Sequence, residues 1–391
     1  MRLRTFVREA SDDSPVAVES PDREGSRLVI LFGASSVAES PASLARIAAA
    51  HAGGVVVGCS TAGEIFGDRV RDESIVGAVL DFERTTVRSA SAAVGSATDS
   101  AAAGESIARR LLAPDLRAVL VLSDGLHVNG SELIRGLNGV LPDSVVVTGG
   151  LAGDGDKFQR TWVVKDGRPV DRQVTAVGLY GDHVRVGHGS KGGWDQFGPE
   201  RVVTRSEGNV LHALDHAPAL ELYKGYLGER AKGLPATGLL FPLSIRVGST
   251  SEKRLVRTIL AVDEATQSLT FAGDIPEGAF AQLMLANFDR LIQGASDAAS
   301  SIDPSRIGPG DTLSIAISCV GRRLVLGERT EEEIEATLDV LPTGTKQIGF
   351  YSYGELSPWA SGRCDLHNQT MTLTTIAEDG EAPCIRSCAV S

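Results

Sequence analysis

Two related stretches decide the fold: VVVGCSTAGE at residues 55–64 and VVVTGGLAGD at residues 145–154. Three valines, an Ala-Gly pair and a final acid recur in both, and the second stretch begins 90 residues after the first. A short valine run that leads into glycines is typical of a buried strand followed by a turn. The match therefore predicts an internal duplication.

Sequence on either side of the two stretches supports the duplication. The first copy has an upstream strand at 27–32, a helix at 41–51 and a downstream strand at 74–80. The second copy has the same elements at 119–123, 131–140 and 174–180. Residues 27–190 are thus expected to hold two strand–helix–strand–strand units.

A third copy is expected near the C-terminus. Its strand lies at 313–318, its helix at 331–341, its turn at 347–355 and its closing strand at 367–375. Between the copies, we predict helices at 217–228 and 276–295 and a hairpin at 254–271. The pattern predicts an α/β fold with mixed sheets in two domains, 27–200 and 201–377, with a flexible leader at 1–26 and a loose tail at 378–391.

Composition excludes several classes of function. The 391 residues carry a net charge of −12, with 42% apolar and 23% charged residues. A protein that binds nucleic acid or an anionic membrane needs a basic face, and no run of Lys or Arg supplies one here. The N-terminus has no apolar signal segment. The five cysteines, an odd number in a chain of this length, indicate a protein whose thiols are reduced. We therefore expect a cytoplasmic protein.

The three glycine turns are candidate ligand contacts, because glycine lets the backbone approach a ligand and frees amide groups for an anion. Acids at the ends of the turns can bind a ligand amine. The alternative is that these are tight turns with capping acids. The candidate residues are Gly58, Ser60, Gly63, Glu64, Gly153, Asp154, Tyr351, Tyr353, Gly354 and Glu355.

Polar residues near the last strand supply the second half of the candidate site, namely His367, Asn368 and Thr370. Pockets favour domain interfaces and the carboxyl ends of strands. We therefore expect a pocket between the two domains for a dipolar ligand such as an amino acid. The alternative is a strand end whose polar side chains bond to one another.

Catalytic motifs are absent from the sequence. GCSTAG is not a G-x-S-x-G nucleophile elbow, and no phosphate-binding or dinucleotide fingerprint occurs. A hydrolase-like enzyme that uses Glu64, Asp154 or Glu355 as acid or base remains an alternative. It is disfavoured because no nucleophile–base pair is recognisable.

Histidines and cysteines offer two further candidates. His188 precedes glycines and Trp194, a setting in which an imidazole can ligate haem iron, whereas His51, His127, His212 and His216 show no partner pattern. The alternative for His188 is a hydrogen-bonded loop residue. The spacing of Cys364, His367, Cys384 and Cys388 is compatible with zinc, but His367 is assigned to the pocket.

Six separated segments together resemble the FIST N-terminal and C-terminal domains (F-box and intracellular signal transduction). They are VVVGCSTAGEI, the stretch from VGHGSKGGW to LYKGYLG, FPLSIRV, GDIPEGAFAQLML, CVGRRLVLGERTEEE, and IGFYSYGEL with LHNQTMTLTT. The resemblance runs from about residue 27 to about residue 377. Its strength lies in the order of the segments.

This resemblance implies a stand-alone sensory protein for a small ligand, with amino acids as a proposed class, rather than an enzyme. Some bacterial relatives resemble haem-based nitric-oxide sensors that act on a histidine kinase. By position, His188 is the residue most similar to their haem b ligand, although Ser190 stands where many relatives have an aromatic residue. We expect the protein to pass its signal to a separate signalling protein, in trans.

Overall fold

Three sheets of identical strand order dominate the structure. The computed structural model describes residues 1–12, 14, 25–248, 254–308, 310–358 and 362–379. Each of the three sheets has six strands, and a fourth, eight-stranded sheet stands apart. In every six-stranded sheet one parallel pair lies beside antiparallel neighbours. The predicted α/β fold with mixed sheets built from repeated units is confirmed.

The first two repeats follow each other directly along the chain. Unit 1 contains β1 (Arg2–Glu9), β2 (Ser26–Ala34), α1 (Ala42–Ala50), β3 (Val55–Thr61), β4 (Glu64–Phe66), β5 (Arg69–Arg71) and β6 (Ser74–Phe82). Unit 2 contains β7 (Thr86–Ala93), α2 (Ser100–Leu111), β8 (Leu116–Ser123), α3 (Gly130–Asn138), β9 (Val146–Leu151), β10 (Val163–Lys165), β11 (Arg168–Val170) and β12 (Gln173–Tyr180).

Unit 3 begins with β13 (Val184–Lys191) and is then interrupted. The interruption, here called the inserted module, contains β14 (Asp195–Glu207), β15 (Val210–Leu214), β16 (Ala217–Pro218), α4 (Ala219–Leu227), β17 (Leu243–Arg246), β18 (Arg254–Arg257), β19 (Ile259–Asp263), β20 (Ser268–Phe271) and β21 (Phe280–Leu285). Unit 3 resumes with α5 (Phe288–Ser300), β22 (Leu313–Cys319), α6 (Val320–Leu326), α7 (Thr330–Leu338), β23 (Lys346–Ser352), β24 (Gly354–Pro358), β25 (Cys364–His367) and β26 (Met371–Glu378).

The three units exchange hairpins in a closed cycle. Hairpin β4–β5 of unit 1 extends the sheet of unit 3 beside β23. Hairpin β10–β11 of unit 2 extends the sheet of unit 1 beside β3, and β24–β25 of unit 3 extends the sheet of unit 2 beside β9. Because each unit gives one hairpin and receives one, the units close into an assembly of approximate threefold symmetry, here called the ring.

A shared core fills the centre of the ring. Phe32 of unit 1, Leu120 of unit 2 and Phe350 of unit 3 belong to one buried cluster. The aromatic rings of Phe32 and Phe350 lie 4.7 Å apart between their centroids. The helices cover the outer faces of the sheets, where α2, α3 and α5 contribute to a second cluster and α1 to a third. Apolar burial on both faces explains the long valine and leucine runs of the central strands.

The inserted module has its own core, and a buried ion pair anchors the segments that join it to the ring. Arg322 and Glu333 are both fully buried and lie 2.8 Å apart. Arg322 also donates to the backbone oxygens of Leu291 and Gly192, which flank the module. A buried charge is tolerated only when such partners compensate its lost hydration. The ring therefore holds both ends of the module.

One predicted helix is wrong. Residues 276–295 were expected to form a single helix, but β21 occupies Phe280–Leu285 and α5 begins only at Phe288. β21 pairs antiparallel with both β14 and β17. Asn287 then caps α5 by accepting a hydrogen bond from the Arg290 amide at 3.2 Å. The short apolar run was ambiguous, and sheet pairing decided it.

The predicted ends of the chain need correction as well. Residues 2–9, expected to belong to a flexible leader, form β1 and pair with β6 along its full length. Glu378, assigned to the tail, ends β26 and is buried. The remaining tail from residue 380 lies outside the described residues. Among the described residues, no helix is both long and apolar enough to cross a membrane.

Candidate functional site

The three glycine turns meet inside the ring and bond to one another. Backbone hydrogen bonds join them from Ala62 N to Tyr351 O (2.8 Å), from Gly153 N to Ser60 O (3.1 Å) and from Tyr353 N to Leu151 O (3.1 Å). Gly63 has a φ of 129°, a conformation that favours glycine. A Cβ at Gly153 would lie 3.0 Å from the Cβ of Ala62. Close approach between units therefore explains these glycines.

Glu64 and Glu355 occupy equivalent places and have equivalent partners. Glu355 accepts hydrogen bonds from the Ser352 hydroxyl at 2.6 Å and from the Thr370 amide and hydroxyl at 3.1 and 2.9 Å. Glu64 accepts from the Thr61 hydroxyl and from the amide and hydroxyl of Ser74. Burial raises the pKa of each carboxyl to about 7. Both carboxyls are thus engaged within their own unit.

Asp154, the remaining acid of the three turns, holds the loop that contains Gln159 and Arg160 through hydrogen bonds. It accepts hydrogen bonds from the amides of Gln159 and Arg160 at 2.8 and 2.7 Å and from the Tyr353 hydroxyl. The clamped loop carries Phe158, whose ring stacks on Tyr353 with a centroid distance of 4.6 Å. Phe158 is 45% exposed and has a φ of 51°. Asp154 therefore positions an exposed aromatic side chain.

The other predicted site residues are buried around these turns. His367 Nε2 lies 3.0 Å from the Ser357 oxygen, and the Tyr351 hydroxyl donates to Glu333 at 2.9 Å. Ser60 accepts a hydrogen bond from the Trp162 amide. Both amide atoms of Asn368 are buried with no hydrogen-bond partner among the described residues. The structure brings the predicted residues together, but most of their polar side chains are buried and hydrogen-bonded to neighbouring residues of the protein.

A cavity of about 250 Å³ lies between the ring and the inserted module; we call it the interface cavity. The ring side comprises Ala97, residues 125–129, Leu151, Phe158, Cys319, Val320 and Tyr353. The module side includes Asn209, Leu239, Thr258, Leu260 and residues 271–273. Its ring side lies at the carboxyl ends of β8, β9 and β22, where open α/β sheets bind ligands. Of the predicted site residues, Tyr353 lines this cavity.

An Asp–His pair lies at the end of β8, and its histidine lines the cavity. Asp124 is fully buried and accepts hydrogen bonds from the amides of Leu126, His127 and Arg172 at 2.8, 2.7 and 2.9 Å. Its carboxylate also lies 3.1 Å from His127 Nδ1. Since a carboxylate only accepts hydrogen bonds, Nδ1 carries the proton. The pair therefore fixes the half-exposed imidazole and leaves Nε2 as the nitrogen not engaged by Asp124.

The module contributes polar atoms of its own. The side-chain amide of Asn209 donates to the Phe271 oxygen at 2.7 Å, which leaves its carbonyl oxygen as an acceptor. Thr258 Oγ1 is buried without a hydrogen-bond partner among the described residues. Burial raises the pKa of both Cys319 and Tyr353, so these two lining groups are neutral at pH 7. His127 is the lining side chain that can carry a positive charge.

Sequence reasoning missed His127, Asn209 and Thr258. The sequence does contain a signal for the first, because Asp124 precedes His127 by three residues directly after a strand. An aspartate in that position bonds to following backbone amides, as it does here. Asn209 and Thr258 gain their significance only from the packing of the module on the ring, which no local pattern reports.

His188 lies on β13, opposite Thr374 of β26. Val186 and Ser190 lie on the same face of the strand as His188. The opposite face packs closely on α5, as shown by Gly189, where an added Cβ would lie 2.0 Å from the backbone oxygen of Ala298. His188 is also not among the residues that line the interface cavity. Haem binding stays a prediction without geometric support.

Metal ligation gains no candidate from the described residues, which contain no group of three or more His, Cys, Asp or Glu placed to hold an ion. Cys384 and Cys388, with the spacing suited to zinc, lie outside the described residues. The acid–base alternative that uses Glu64, Asp154 or Glu355 stays a prediction as well; none of these three side chains is among the residues that line the interface cavity.

A ring of three α/β units with an inserted module defines a two-part architecture with a cavity at the junction. The chain belongs to the FIST family: the FIST N domain matches residues 27–217 and the FIST C domain matches residues 219–358. FIST domains are associated with sensing in signal transduction. The second match begins at residue 219, whereas the sequence predicted a boundary near 200.

Other comparisons add little. No curated protein matches this chain. Among solved structures, a cyanuric acid hydrolase from A. caulinodans is similar at 12% identity over 76% of this chain and 100% of that chain, with a TM-score of 0.19. At that score the likeness supports no conclusion about this chain.

Proposed function

We propose that this protein is a small-molecule sensor whose ligand occupies the interface cavity. The observation that carries the proposal is the junction itself, where strand ends of the ring and loops of the module converge on one partly open cavity. Pockets at such junctions are the usual sites of ligand binding. A ligand there contacts both parts of the molecule at once.

Size and lining limit the ligand. A cavity of about 150 Å³ is large enough for benzene, so the interface cavity suits a molecule of roughly one ring or one amino acid. Apolar and aromatic side chains dominate the lining, and a few polar atoms can orient the ligand. Amino acids and similar small polar molecules are the class that the family resemblance suggests.

The position of the module provides a means of signalling. Ring and module already touch through Arg257, which donates to the Leu366 oxygen at 3.0 Å, and through Asn129, which donates to Asp274 at 3.2 Å. A ligand that bridges both parts adds contacts available only when they are apposed, and so shifts the population towards that arrangement. Transfer of this change to a protein such as a histidine kinase, in trans, rests on the family resemblance.

The test combines identification of the ligand with obstruction of the cavity. Native mass spectrometry of the purified protein identifies co-purifying small molecules, and calorimetry with common amino acids measures their affinity. Leu260 lines the cavity and is 42% exposed. The larger side chain of Leu260→Trp can therefore fill the cavity without disrupting the hydrophobic core. Leu112→Trp is the matched control, at 47% exposure and away from the cavity.

We expect Leu260→Trp to lower affinity at least about tenfold, which corresponds to about 1.4 kcal/mol, and Leu112→Trp to leave it unchanged. Equal affinity in wild type and Leu260→Trp would place the ligand elsewhere and refute the proposal.

A further inference from the structure

The interface cavity is lined by very few ionisable residues, and this limits the class of ligand that it can bind. Its lining contains no Asp, Glu, Lys or Arg among the described residues, although charged residues make up 23% of the chain. His127 is therefore the one lining residue there with access to a cationic form. This arrangement can receive one negative charge and has no carboxylate for a positive one.

Asp124 prepares His127 for an anion. Its carboxylate lies 3.1 and 3.3 Å from Nδ1 through its two oxygens, behind the imidazole and out of solvent. A protonated ring donates from both nitrogens, so Nε2–H becomes a charge-assisted donor for a ligand oxygen. The buried carboxylate stays compensated by three backbone amides.

Aromatic side chains give the rest of the cavity its shape. Phe158 and Tyr353, stacked on each other, lie on the ring side of the cavity, and the fully buried Phe271 lies behind the module side. Flat aromatic ligands pack well against such surfaces. A volume of about 250 Å³ exceeds the roughly 150 Å³ that holds benzene by enough to admit one small substituent.

A ligand ammonium group would be poorly accommodated. Burying an unpaired charge is costly, and the polar groups on the module side are neutral: the Asn209 carbonyl is left as an acceptor, and the Thr258 hydroxyl is buried. These neutral groups suit a hydroxyl or another uncharged substituent better than a full positive charge.

We infer that the ligand is a small aromatic monocarboxylate whose carboxylate faces His127 Nε2 and whose aromatic ring lies against Phe158 and Tyr353. The inference rests on the proposed function, because it names the ligand class of the same cavity. It goes beyond that function by excluding α-amino acids as the preferred class.

Benzoate and benzamide separate charge from shape, because they share a ring and differ in one group. Calorimetry on the full chain should show benzoate binding at least about tenfold more tightly than benzamide, as expected when a charge-assisted hydrogen bond is lost. His127→Gln should weaken benzoate by about the same factor and leave benzamide within about twofold. His127→Asn provides a second variant, and thermal unfolding verifies that both variants fold.

The outcomes separate the two proposals. Equal binding of benzoate and benzamide, or benzoate binding that neither His127 variant weakens, overturns the inference. If an amino acid binds more tightly than benzoate and Leu260→Trp abolishes that binding, the inference fails while the sensor cavity stands. If Leu260→Trp affects no ligand that the wild type binds, the proposed function fails, and the inference with it.

Discussion

The buried turns of the ring and the interface cavity both lie at strand ends and both contain polar side chains, yet they differ in how those side chains are used. At the turns, Glu64 and Glu355 each accept three hydrogen bonds from their own unit. In the cavity, Asp124 does not engage His127 Nε2, and the carbonyl oxygen of Asn209 is left as an acceptor. The comparison teaches that unused polar atoms beside a space mark a site better than acids beside glycines do.

The largest expected effect is on stability, at the turns. Glu355→Ala strands the Ser352 hydroxyl and both polar groups of Thr370 in a buried position, so we expect the free energy of unfolding to fall by about 2–4 kcal/mol. His127→Gln, in the half-exposed cavity lining, should cost about 1 kcal/mol or less. Urea unfolding of both variants measures the difference. Equal losses would mean that the two regions are not distinct in the way described.

Stability should also depend on pH through the turn acids. Burial raises the pKa of Glu64 and Glu355 from the ordinary 4.5 to about 7. The folded state therefore holds extra protons between about pH 4.5 and 7. Their stabilising contribution is complete below pH 4.5 and is lost as the pH rises through 7, on the order of 1–3 kcal/mol for each group.

The double variant Glu64→Gln, Glu355→Gln isolates this contribution from all other titrating groups. Urea unfolding at pH 5 and pH 8 should show a smaller decline in the variant than in the wild type. A decline of the same size in both proteins would show that neither carboxyl titrates abnormally.

Sequence patterns predicted the repeats better than their assembly. Duplicated letters around Gly63 and Gly153 gave the units, because each unit is folded by local strand and helix patterns. The hairpin exchange was not predictable, since β4 pairs with β23 of a distant unit and nothing near Glu64 encodes that partner. The three turns were predicted as a cluster, but satisfaction of their acids depends on tertiary neighbours such as Thr370.

A smaller effect is expected where the two regions meet. Tyr353 lines the cavity, and its hydroxyl bonds to Asp154 and to the Gly155 oxygen. Tyr353→Phe removes these bonds and keeps the ring, so we expect a loss of about 1 kcal/mol in the free energy of unfolding. Faster hydrogen exchange at the amides of Gln159 and Arg160 would show that the loop is released. Unchanged exchange would show that Asp154 holds the loop alone.

The smallest effect concerns Phe158, which is exposed and has a φ of 51°. Phe158→Gly relieves left-handed strain worth about 1 kcal/mol, so stability should stay level or rise slightly while ligand affinity falls. Asp166→Gly is the matched control, because Asp166 also has a φ of 51° but does not line the cavity. It should share the gain in stability and keep full affinity. Equal affinities in the two variants would remove Phe158 from the site.

The central claim is that the ligand lies in the interface cavity and not at the turns, and one calorimetric experiment tests it most directly. Wild type, His127→Gln and Glu355→Gln are titrated with benzoate and with the common amino acids, and the tightest ligand is compared across the three proteins. The account predicts that His127→Gln weakens this ligand at least about tenfold while Glu355→Gln leaves it within about twofold. The opposite result, with loss in Glu355→Gln and full affinity in His127→Gln, would contradict the account and return the site to the turns.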